Sequence, residues 1–266
     1  MSRLYKIAIL VFLLLIGFLT YLEAIEPEPV NWSSSYSSRD KIPMGTYVLH
    51  ESLEQEFKEM QQVALPPYEF LSGNDPQGTY MFINSNLAFD DEELDKLLHW
   101  VEQGNNLFLA TDAFSKNLLD TLQLNVATKI PAEGLESKPM VNLVNPELKS
   151  SHAYLFDKDV YHSVLIEIDT SAHTVLGVSQ LYEDTLLIEE PEVNFIAVDH
   201  GEGRILLSTT PQAFTNFFLL HENNFRYVNV PWAICRGNRS CIGTSTRKTG
   251  KYSRPPPCTF FWGANP

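Results

Sequence analysis

The sequence predicts an α/β domain with a β-rich second half, preceded by one N-terminal transmembrane helix. Three observations predict this class. A strand–helix–strand pattern runs through residues 79–112, an apolar run fills most of residues 1–25, and short β-type runs dominate after about Val141. A strand, a crossover helix and a further strand most simply form a right-handed parallel βαβ unit, so residues 79–112 lie at the centre of the predicted fold.

Residues 1–25 are predicted to be an uncleaved signal anchor. Two basic residues, Arg3 and Lys6, precede an apolar run from Ile7 to Leu19, and acidic residues follow it. This charge order predicts a cytoplasmic N-terminus, a helix in the inner membrane and a domain outside the cytoplasm. The run is long for a signal peptide and no clear cleavage site follows it, which favours an anchor over the alternative of a cleaved signal peptide.

Charge and cysteine are distributed unevenly along the chain. The formal net charge is −14, yet residues 230–266 hold six of the 19 basic residues and none of the 33 acidic ones. The acidic surface of the preceding residues argues against nucleic acid and anionic lipid headgroups as partners. All three cysteines, Cys235, Cys241 and Cys258, also lie in this last segment. Residues 26–229 therefore offer no disulfide, no thiolate metal ligand and no cysteine nucleophile.

A helix is predicted early in the domain, after a Ser-rich loop. Residues 26–42 fit a linker and a first edge strand equally well. Pro43 suits the first turn of a helix, and apolar residues recur at helical spacing as far as Met60, which predicts a helix over about 43–60. Gly45 lies where this first turn can approach another backbone or an anion closely, and a tight packing contact is the plainer interpretation.

The helix of the central unit is marked at both ends. Asp90 suits the N-cap, acidic residues 91–93 fill the first turn, where the helix dipole favours anions, and Gly104 stands where a left-handed residue ends a helix. An apolar stripe between these ends consists of Leu94, Leu97, Leu98 and Val101. We therefore expect one face of this helix to pack on the sheet.

Polar residues end both strands of the central unit. The trio Asn84–Asn86 is expected to stop the first strand, and Thr111 and Asp112 to stop the second. In open α/β sheets, ligands bind beyond the carboxyl ends of such strands. The candidate ligand-binding residues are those at the two strand ends, together with the glycine of the first predicted helix: Asn84, Asn86, Thr111, Asp112 and Gly45.

Short strands and a closing helix are predicted for the second half of the domain. A short helix is expected at Ser115–Leu124, and strands at Tyr154–Phe156, Val164–Ile168, Thr174–Val178, Leu186–Ile188, Val193–Val198 and Ile205–Ser208. The last two strands flank residues 199–203, whose glycines allow a tight hairpin turn. Residues 211–227 are predicted to form the closing helix, whose face toward the sheet holds Phe214, Phe217, Phe218 and Leu219.

The tail differs in character from the domain. Residues 230–266 have no period of 2 or 3.6 and mix prolines, glycines and basic residues, which predicts a disordered segment. A sharper interpretation is a frameshift product, because a second frame read from the third base of the Asn229 codon permits Arg-Ala-Leu-Gly-Tyr-Leu-Pro and, further on, Pro-Val-Val-Tyr-Trp-Asp-Glu-Tyr. The predicted organisation is therefore an anchor (1–25), an α/β domain (26–229) and a tail (230–266).

Three stretches resemble the bacterial domain-of-unknown-function family 4350. They are NWSSSYSSRDKIPMGTYVLHESL, YMFINSNLAFDDEELDKLLHWVEQGNNLFLATD and FIAVDHGEGRILLSTTPQAFTNFFLLHENNFRYVN, and they are spread across residues 30–229. The resemblance implies a flavodoxin-like three-layer sandwich of the class I glutamine amidotransferase-like superfamily, anchored outside the membrane. It also implies a second span after the domain, for which residues 230–266 have no suitable run, whereas the alternative frame resembles the family's usual continuation.

The chemistry of that superfamily is not supported by the residues. Amidotransferase chemistry needs a cysteine on a sharp turn after a central strand, and the corresponding residues 110–114 contain none. Thr111 beside Asp112 is an alternative nucleophile pair, although strand termination and capping is the plainer role. The seven histidines show no metal-ligand spacing and the acidic stretch 157–162 is interpreted as a solvated loop, so we predict neither a metal nor a cofactor.

Three functions stay open at this point. The leading prediction is a non-catalytic binding or scaffold component of a membrane complex, a pseudoenzyme whose partners are other membrane or periplasmic proteins. A hydrolase or amidotransferase-related enzyme that uses Thr111 and Asp112 is the first alternative. A small-molecule sensor that uses Asn84, Asn86 and Asp112 is the second.

Overall fold

The structure, a computed structural model, describes residues 2–57, 59–73, 76–131, 136–228 and 259–263. It divides into two units, Met1–Trp32 and Ser33–Pro266, which are described separately. The first unit contains helix α1 (Arg3–Ile25), a 23-residue helix with exposed apolar side chains. Its length and composition suffice to cross a membrane, as predicted, and they suit an anchor and a signal sequence equally.

The second unit is built on a nine-stranded mixed sheet. Its strands are β1 (Glu59–Val63), β2 (Thr79–Leu87), β3 (Asn106–Phe114), β5 (Pro139–Leu143), β6 (Tyr154–Leu155), β8 (His173–Leu181), β9 (Glu192–His200), β10 (Gly203–Ser208) and β11 (Thr259–Gly263). Their order is β1-β11-β2-β3-β10-β9-β8-β5-β6. Every pair from β1 to β10 is parallel, and every pair from β10 to β6 is antiparallel. Strands β4 (Asn125–Lys129) and β7 (His162–Ile166) form a separate antiparallel pair.

Helices cover both faces of this sheet. They are α2 (Tyr47–Glu56), α3 (Pro67–Gly73), α4 (Asp91–Glu102), α5 (Lys116–Leu122) and α6 (Asn216–Leu219), with 3-10 helices at Pro211–Phe214 and Asn224–Val228. Side chains of a strand alternate between the two faces, so Tyr80 joins the hydrophobic cluster that includes the stripe of α4. Its neighbour Met81 joins a second cluster, with Leu53 of α2 and Phe218 of α6.

The central unit has the predicted architecture. Strands β2 and β3 are parallel neighbours, with Ile83 opposite Ala110, and α4 connects them. The Asp90 carboxylate accepts a hydrogen bond from the Glu93 amide at 2.8 Å, which is the expected N-cap. Gly104 ends the helix with a φ of 105°. The α/β class and the β-rich second half are thus confirmed, whereas a flavodoxin-like fold is not, because half of the sheet is antiparallel.

Several predicted boundaries are wrong. The first helix begins at Tyr47 and ends at Glu56, and Met60 belongs to β1, because an apolar residue at helical spacing also fits a strand. Strands β2 and β3 run past their polar residues to Leu87 and Phe114, since main-chain pairing continues where burial ends. No strand forms in described residues 26–42 or at 186–188.

The closing helix is also shorter than predicted. Residues 211–227 form α6 and two 3-10 helices rather than one continuous helix. A left-handed backbone at Glu222, with a φ of 44°, interrupts the helical path. The expected apolar packing is nevertheless present, because Phe214, Phe218 and Leu219 are buried.

The prediction of a disordered tail is wrong for five residues. Thr259–Gly263 form β11, which pairs in parallel with β1 on one side and β2 on the other. Its sequence, Thr-Phe-Phe-Trp-Gly, is rich in aromatic and β-branched residues, which favour strands. The remaining tail residues lie outside the described part of the chain, and the frameshift interpretation stays a prediction.

Candidate functional site

A segment that we call the covering segment, residues 36–46, lies against the carboxyl ends of the parallel strands. Its Tyr36 is 1% exposed and belongs to the same hydrophobic cluster as Ile83 of β2 and Ala110 of β3. The Tyr36 amide donates to the Met44 carbonyl at 3.0 Å, and the Thr46 hydroxyl donates to the Tyr36 carbonyl at 3.0 Å. The segment is therefore closed on itself by its own hydrogen bonds.

Asn216, the first residue of α6, fastens the covering segment to the chain that follows β10. Its Nδ2 donates to the carbonyls of Asp40 and Ile42 at 2.9 and 2.8 Å, and its Oδ1 accepts from the Val48 amide at 2.8 Å. Its backbone amide donates to the Gly45 carbonyl at 2.8 Å. One buried side chain thus satisfies three main-chain groups that helices and strands leave unpaired.

Gly45 has a packing role in this arrangement. A Cβ atom at this position would lie 2.1 Å from the Asp40 carbonyl oxygen, which no side chain tolerates. The close approach is therefore between two parts of the covering segment. This is the plainer of the two interpretations drawn from the sequence.

Asp112 of β3 lies in a partly buried polar contact. Its Oδ1 accepts a hydrogen bond from Gln212 Nε2 at 2.8 Å, and Gln212 lies in the 3-10 helix that follows β10. Burial raises the pKa of the Asp112 carboxyl to about 6, although the hydrogen bond from Gln212 opposes the rise. This carboxyl therefore gains and loses a proton close to neutral pH.

Tyr36 completes what we call the rim cluster, consisting of Tyr36, Asp112 and Gln212. Burial raises the pKa of the Tyr36 phenol, the negative charge of Asp112 raises it further, and the nearby side chains of Ser34 and Gln212 oppose the rise. Neither the phenolic oxygen nor Gln212 Oε1 makes a hydrogen bond of good geometry to another described residue. The cluster thus combines a titratable carboxyl with two buried polar atoms that lack a hydrogen bond of good geometry among the described residues.

Thr111 points away from the rim cluster. Successive side chains of a strand lie on opposite faces, and the neighbours of Thr111 and Asp112 along β3 belong to the two different hydrophobic clusters. The Thr111 hydroxyl is fully buried, donates to the Ala113 carbonyl at 3.0 Å and accepts from the Ala113 amide at 3.2 Å. Thr111 and Asp112 are therefore adjacent in sequence but do not face a common point.

The two asparagines of β2 lie beside the end of β3. Asn84 is opposite Thr111 in the register, and its Oδ1 accepts from the Ser85 amide at 2.8 Å. Asn86 is exposed and opposite Ala113. The structure therefore brings four of the five predicted residues to one edge of the sheet, divided between its two faces, and ligand binding by these residues stays a prediction.

A groove also opens beyond the carboxyl ends of β2 and β3. It has a volume of about 560 Å³ and is lined by Phe89, Asp90, Asp91, Ser115, Lys116, Asn117 and Asp120. None of the five predicted ligand-binding residues lines it. The three carboxylates give this groove an acidic character, with Lys116 as the cation among its lining residues.

Two possible metal-ligating groups have different surroundings. In the loop considered from sequence, Asp159 accepts from the Ser137 amide at 2.7 Å, while His162 is buried and its Nε2 lies 2.9 Å from the Ser179 hydroxyl. On α2, donor atoms of His50, Glu51 and Glu54 lie within 4.8 Å of one another at the surface. The latter is an acidic surface group of a common kind.

Sequence reasoning missed Tyr36, Gln212 and Asn216. The stretch after β10 contains Thr209, Thr210 and Gln212, and the last parts of β2 and β3 likewise contain polar residues. The same argument from strand ends applies to it once β10 is known to lie in parallel beside β3. That neighbour relation depends on residues about 100 positions apart, for which the sequence alone carries no local signal.

The fold and the covering segment define the class of protein. It is an α/β domain with a mixed sheet, and the covering segment lies over the carboxyl ends of its parallel strands. The chain belongs to the family described as Domain of unknown function (DUF4350), whose profile matches residues 38–229. This confirms the family resemblance seen in the sequence. A search of curated proteins finds no match.

Several solved structures are similar to parts of this chain. The mmIFT52 N-terminal domain is 11% identical, with a TM-score of 0.51, over 76% of this chain and 93% of that chain. At this identity the likeness shows the fold alone. A catalytic mutant of Gan42B, a GH42 beta-galactosidase from G. stearothermophilus, is 16% identical with a TM-score of 0.30 over 48% of this chain and 18% of its own. Agd3, a carbohydrate deacetylase, is 8% identical with a TM-score of 0.31 over 45% of this chain and 18% of its own.

Asp112→Asn is expected to stabilise the protein at pH 8 and to have no effect at pH 4. Because the folded state holds the proton up to about pH 6 while a free aspartate releases it near 3.8, stability falls as the pH rises between these values. Asparagine keeps the acceptor for Gln212 and has no charge to bury. We expect a gain of about 1–2 kcal/mol at pH 8, discounted for the partial exposure of Asp112, in urea unfolding at both pH values.

Asp120→Asn is the matched control, because Asp120 is an exposed carboxylate on α5. It is expected to leave the difference between pH 4 and pH 8 unchanged. An equal response of both variants would show that net charge, rather than burial of Asp112, causes the effect.

Proposed function

We propose that this protein is a membrane-anchored, extracytoplasmic binding or scaffold component of a membrane complex and that it lacks catalytic activity. In this proposal α1 remains as an anchor in the inner membrane, with its N-terminus in the cytoplasm. The order of charges supports this orientation, since Arg3 and Lys6 precede the apolar run and acidic residues follow it. The partners are other membrane or periplasmic proteins.

The proposal depends mainly on the arrangement at the end of β3. Acyl transfer needs a nucleophile within hydrogen-bonding reach of a base, with a third group that orients the base. Thr111 and Asp112 lie on opposite faces of the sheet, and the Thr111 hydroxyl is engaged by Ala113. The covering segment packs Tyr36 where a substrate would have to approach Asp112. This arrangement at the carboxyl edge of the sheet suits a stable binding surface rather than catalytic turnover.

An amidotransferase-like ancestry is consistent with this function. The parallel half of the sheet and the helices on both of its faces support such an origin, and the described residues 33–228 contain no cysteine. A domain that kept this fold without its nucleophile is a pseudoenzyme. Binding then becomes the function that remains.

A photo-crosslinking residue placed at Asn86 tests the proposed function. Asn86 is exposed at the carboxyl edge of the sheet, and Glu183, exposed after β8, serves as the control position. In membranes of the native host, we expect the Asn86 variant to form a discrete protein adduct that the Glu183 variant does not form. Equal adducts at both positions, or none at Asn86, would count against a binding role for this edge.

Turnover provides the second arm of this test. Full-length protein and Asp112→Ala are compared with glutamine, p-nitrophenyl esters and p-nitrophenyl glycosides, and we expect neither to exceed the buffer rate. Turnover by the wild type that Asp112→Ala reduces by orders of magnitude would establish the hydrolase alternative instead.

A sensor role has one observation in its favour. Tyr36 OH and Gln212 Oε1 are buried beside Asp112 and make no hydrogen bond of good geometry to another described residue. A ligand would reach them only by displacing the covering segment, which Asn216 holds in place. The small-molecule sensor is therefore the second candidate function, after the binding or scaffold role.

A further inference from the structure

Strand β11 occupies an unusual place in the sheet. Thirty residues, 229–258, separate it from Val228, yet it lies between β1 and β2 rather than at an edge. It pairs in parallel over five residues of β1, from Glu59↔Thr259 to Val63↔Gly263, and over three residues of β2, from Thr79↔Phe260 to Met81↔Trp262. A segment from far along the chain thus supplies an internal strand.

The main chain of β2 requires a partner on this side. Thr79, Tyr80 and Met81 are at most 4% exposed, and β3 pairs with the opposite edge of the same strand. Without β11, main-chain groups of these buried residues would lack hydrogen-bond partners, which is unfavourable for buried groups. The gap between β1 and β2 is therefore a site that favours any extended peptide able to pair on both sides.

We propose that the gap between β1 and β2 is a strand-acceptor site for an extended segment of another polypeptide, and that β11 is a tethered ligand occupying this site. The partner enters parallel to β1 and β2 and binds mainly through its main chain, as in other cases of β-strand addition. Aromatic or β-branched residues, as in Thr-Phe-Phe-Trp-Gly, suit the partner. This inference goes beyond the proposed function, because it names the chemistry of a partner and does not use the rim cluster.

The covalent connection makes the exchange a competition between β11 and a free segment. Because β11 belongs to the same chain as the gap, a free segment competes best when it is abundant or when β11 is weakened. Thirty residues can span at most roughly 100 Å, so chain length alone does not confine β11 to the gap.

Binding of a labelled peptide tests the proposal. The probe is a fluorescein-labelled peptide with the sequence of residues 256–265, measured by anisotropy against full-length protein in nanodiscs. Phe261→Pro weakens β11 because proline lacks the amide that pairs and cannot continue an internal strand. We expect this variant to bind the peptide saturably and at least ten-fold more tightly than the wild type. Tyr252→Pro, in the tail but outside β11, is the control and should behave as the wild type.

Hydrogen exchange decides between the possible outcomes. In Phe261→Pro, amides of residues 79–81 and 59–63 should exchange faster and regain protection when the peptide binds. Retained protection without peptide binding would show that β1 moves about 5–10 Å to pair directly with β2, and the proposal would be wrong. A chain ending at Arg254 provides the second variant. Unfolding of both variants, measured by circular dichroism, would make β11 an obligatory strand and would equally reject an exchangeable site.

Discussion

Asn216→Ala is expected to lower the free energy of unfolding by about 3 kcal/mol. The substitution leaves the carbonyls of Asp40 and Ile42 and the amide of Val48 without their partner, and each unsatisfied group costs about 1–3 kcal/mol when it stays buried. We take the lower end of this range because water reaches part of the covering segment after the change. The melting temperature should fall by roughly 6–12 °C in a thermal unfolding experiment.

Asn223→Ala is the control for this prediction, since Asn223 is exposed on the same part of the chain. Its melting temperature should stay within about 1 °C of the wild type. A loss in Asn216→Ala no larger than in the control would mean that the covering segment holds its place without this side chain. Limited proteolysis with trypsin tests directly whether the covering segment is released in Asn216→Ala. A released segment would expose cleavage sites at Arg39 and Lys41.

Gly203→Ala is expected to destabilise the protein by about 3 kcal/mol, the upper part of the usual range for overpacking. A Cβ atom at this position would lie 2.1 Å from the carbonyl oxygens of both Val101 and Asn105. Backbone atoms cannot rotate away as a side chain can, so the β9–β10 hairpin must separate from the end of α4. Urea unfolding should show a lower midpoint for Gly203→Ala than for the wild type.

Gly73→Ala is the matched control for Gly203→Ala. Gly73 ends α3, and no atom lies within 4 Å of the position that its Cβ would occupy. Alanine is also the better helix former, so we expect a change between zero and a gain of about 1 kcal/mol. A similar loss in both variants would exclude the close approach of the hairpin as the cause.

Local signals in the sequence predicted the centre of the fold. The N-cap at Asp90, the left-handed Gly104 and the apolar stripe of α4 each depend on residues within one helix, and all three are present. The hairpin turn was predicted for the same reason, and Gly201 has the expected positive φ of 59°. Gly203 instead serves close packing against the distant residues Val101 and Asn105, which the pattern around it does not reveal.

Long-range relations limited the prediction of the site. The sequence placed Thr111 and Asp112 together as a pair, yet the two-residue period of a strand already separates them onto opposite faces. The contact between Asp112 and Gln212 joins residues 100 positions apart, and the contact between Asn216 and Asp40 joins residues 176 positions apart. No local pattern specifies such partners, so the strand ends were found and their neighbours were not.

The hydrogen bond between Asn216 and Asp40 also limits when the domain can finish folding during synthesis. A ribosome adds residues in order, and the segment around Asp40 is made long before position 216 emerges. Until then β3 lacks its neighbour β10, and the covering segment lacks its hydrogen bonds to Asn216. The nascent domain therefore stays incompletely folded until synthesis has passed position 216.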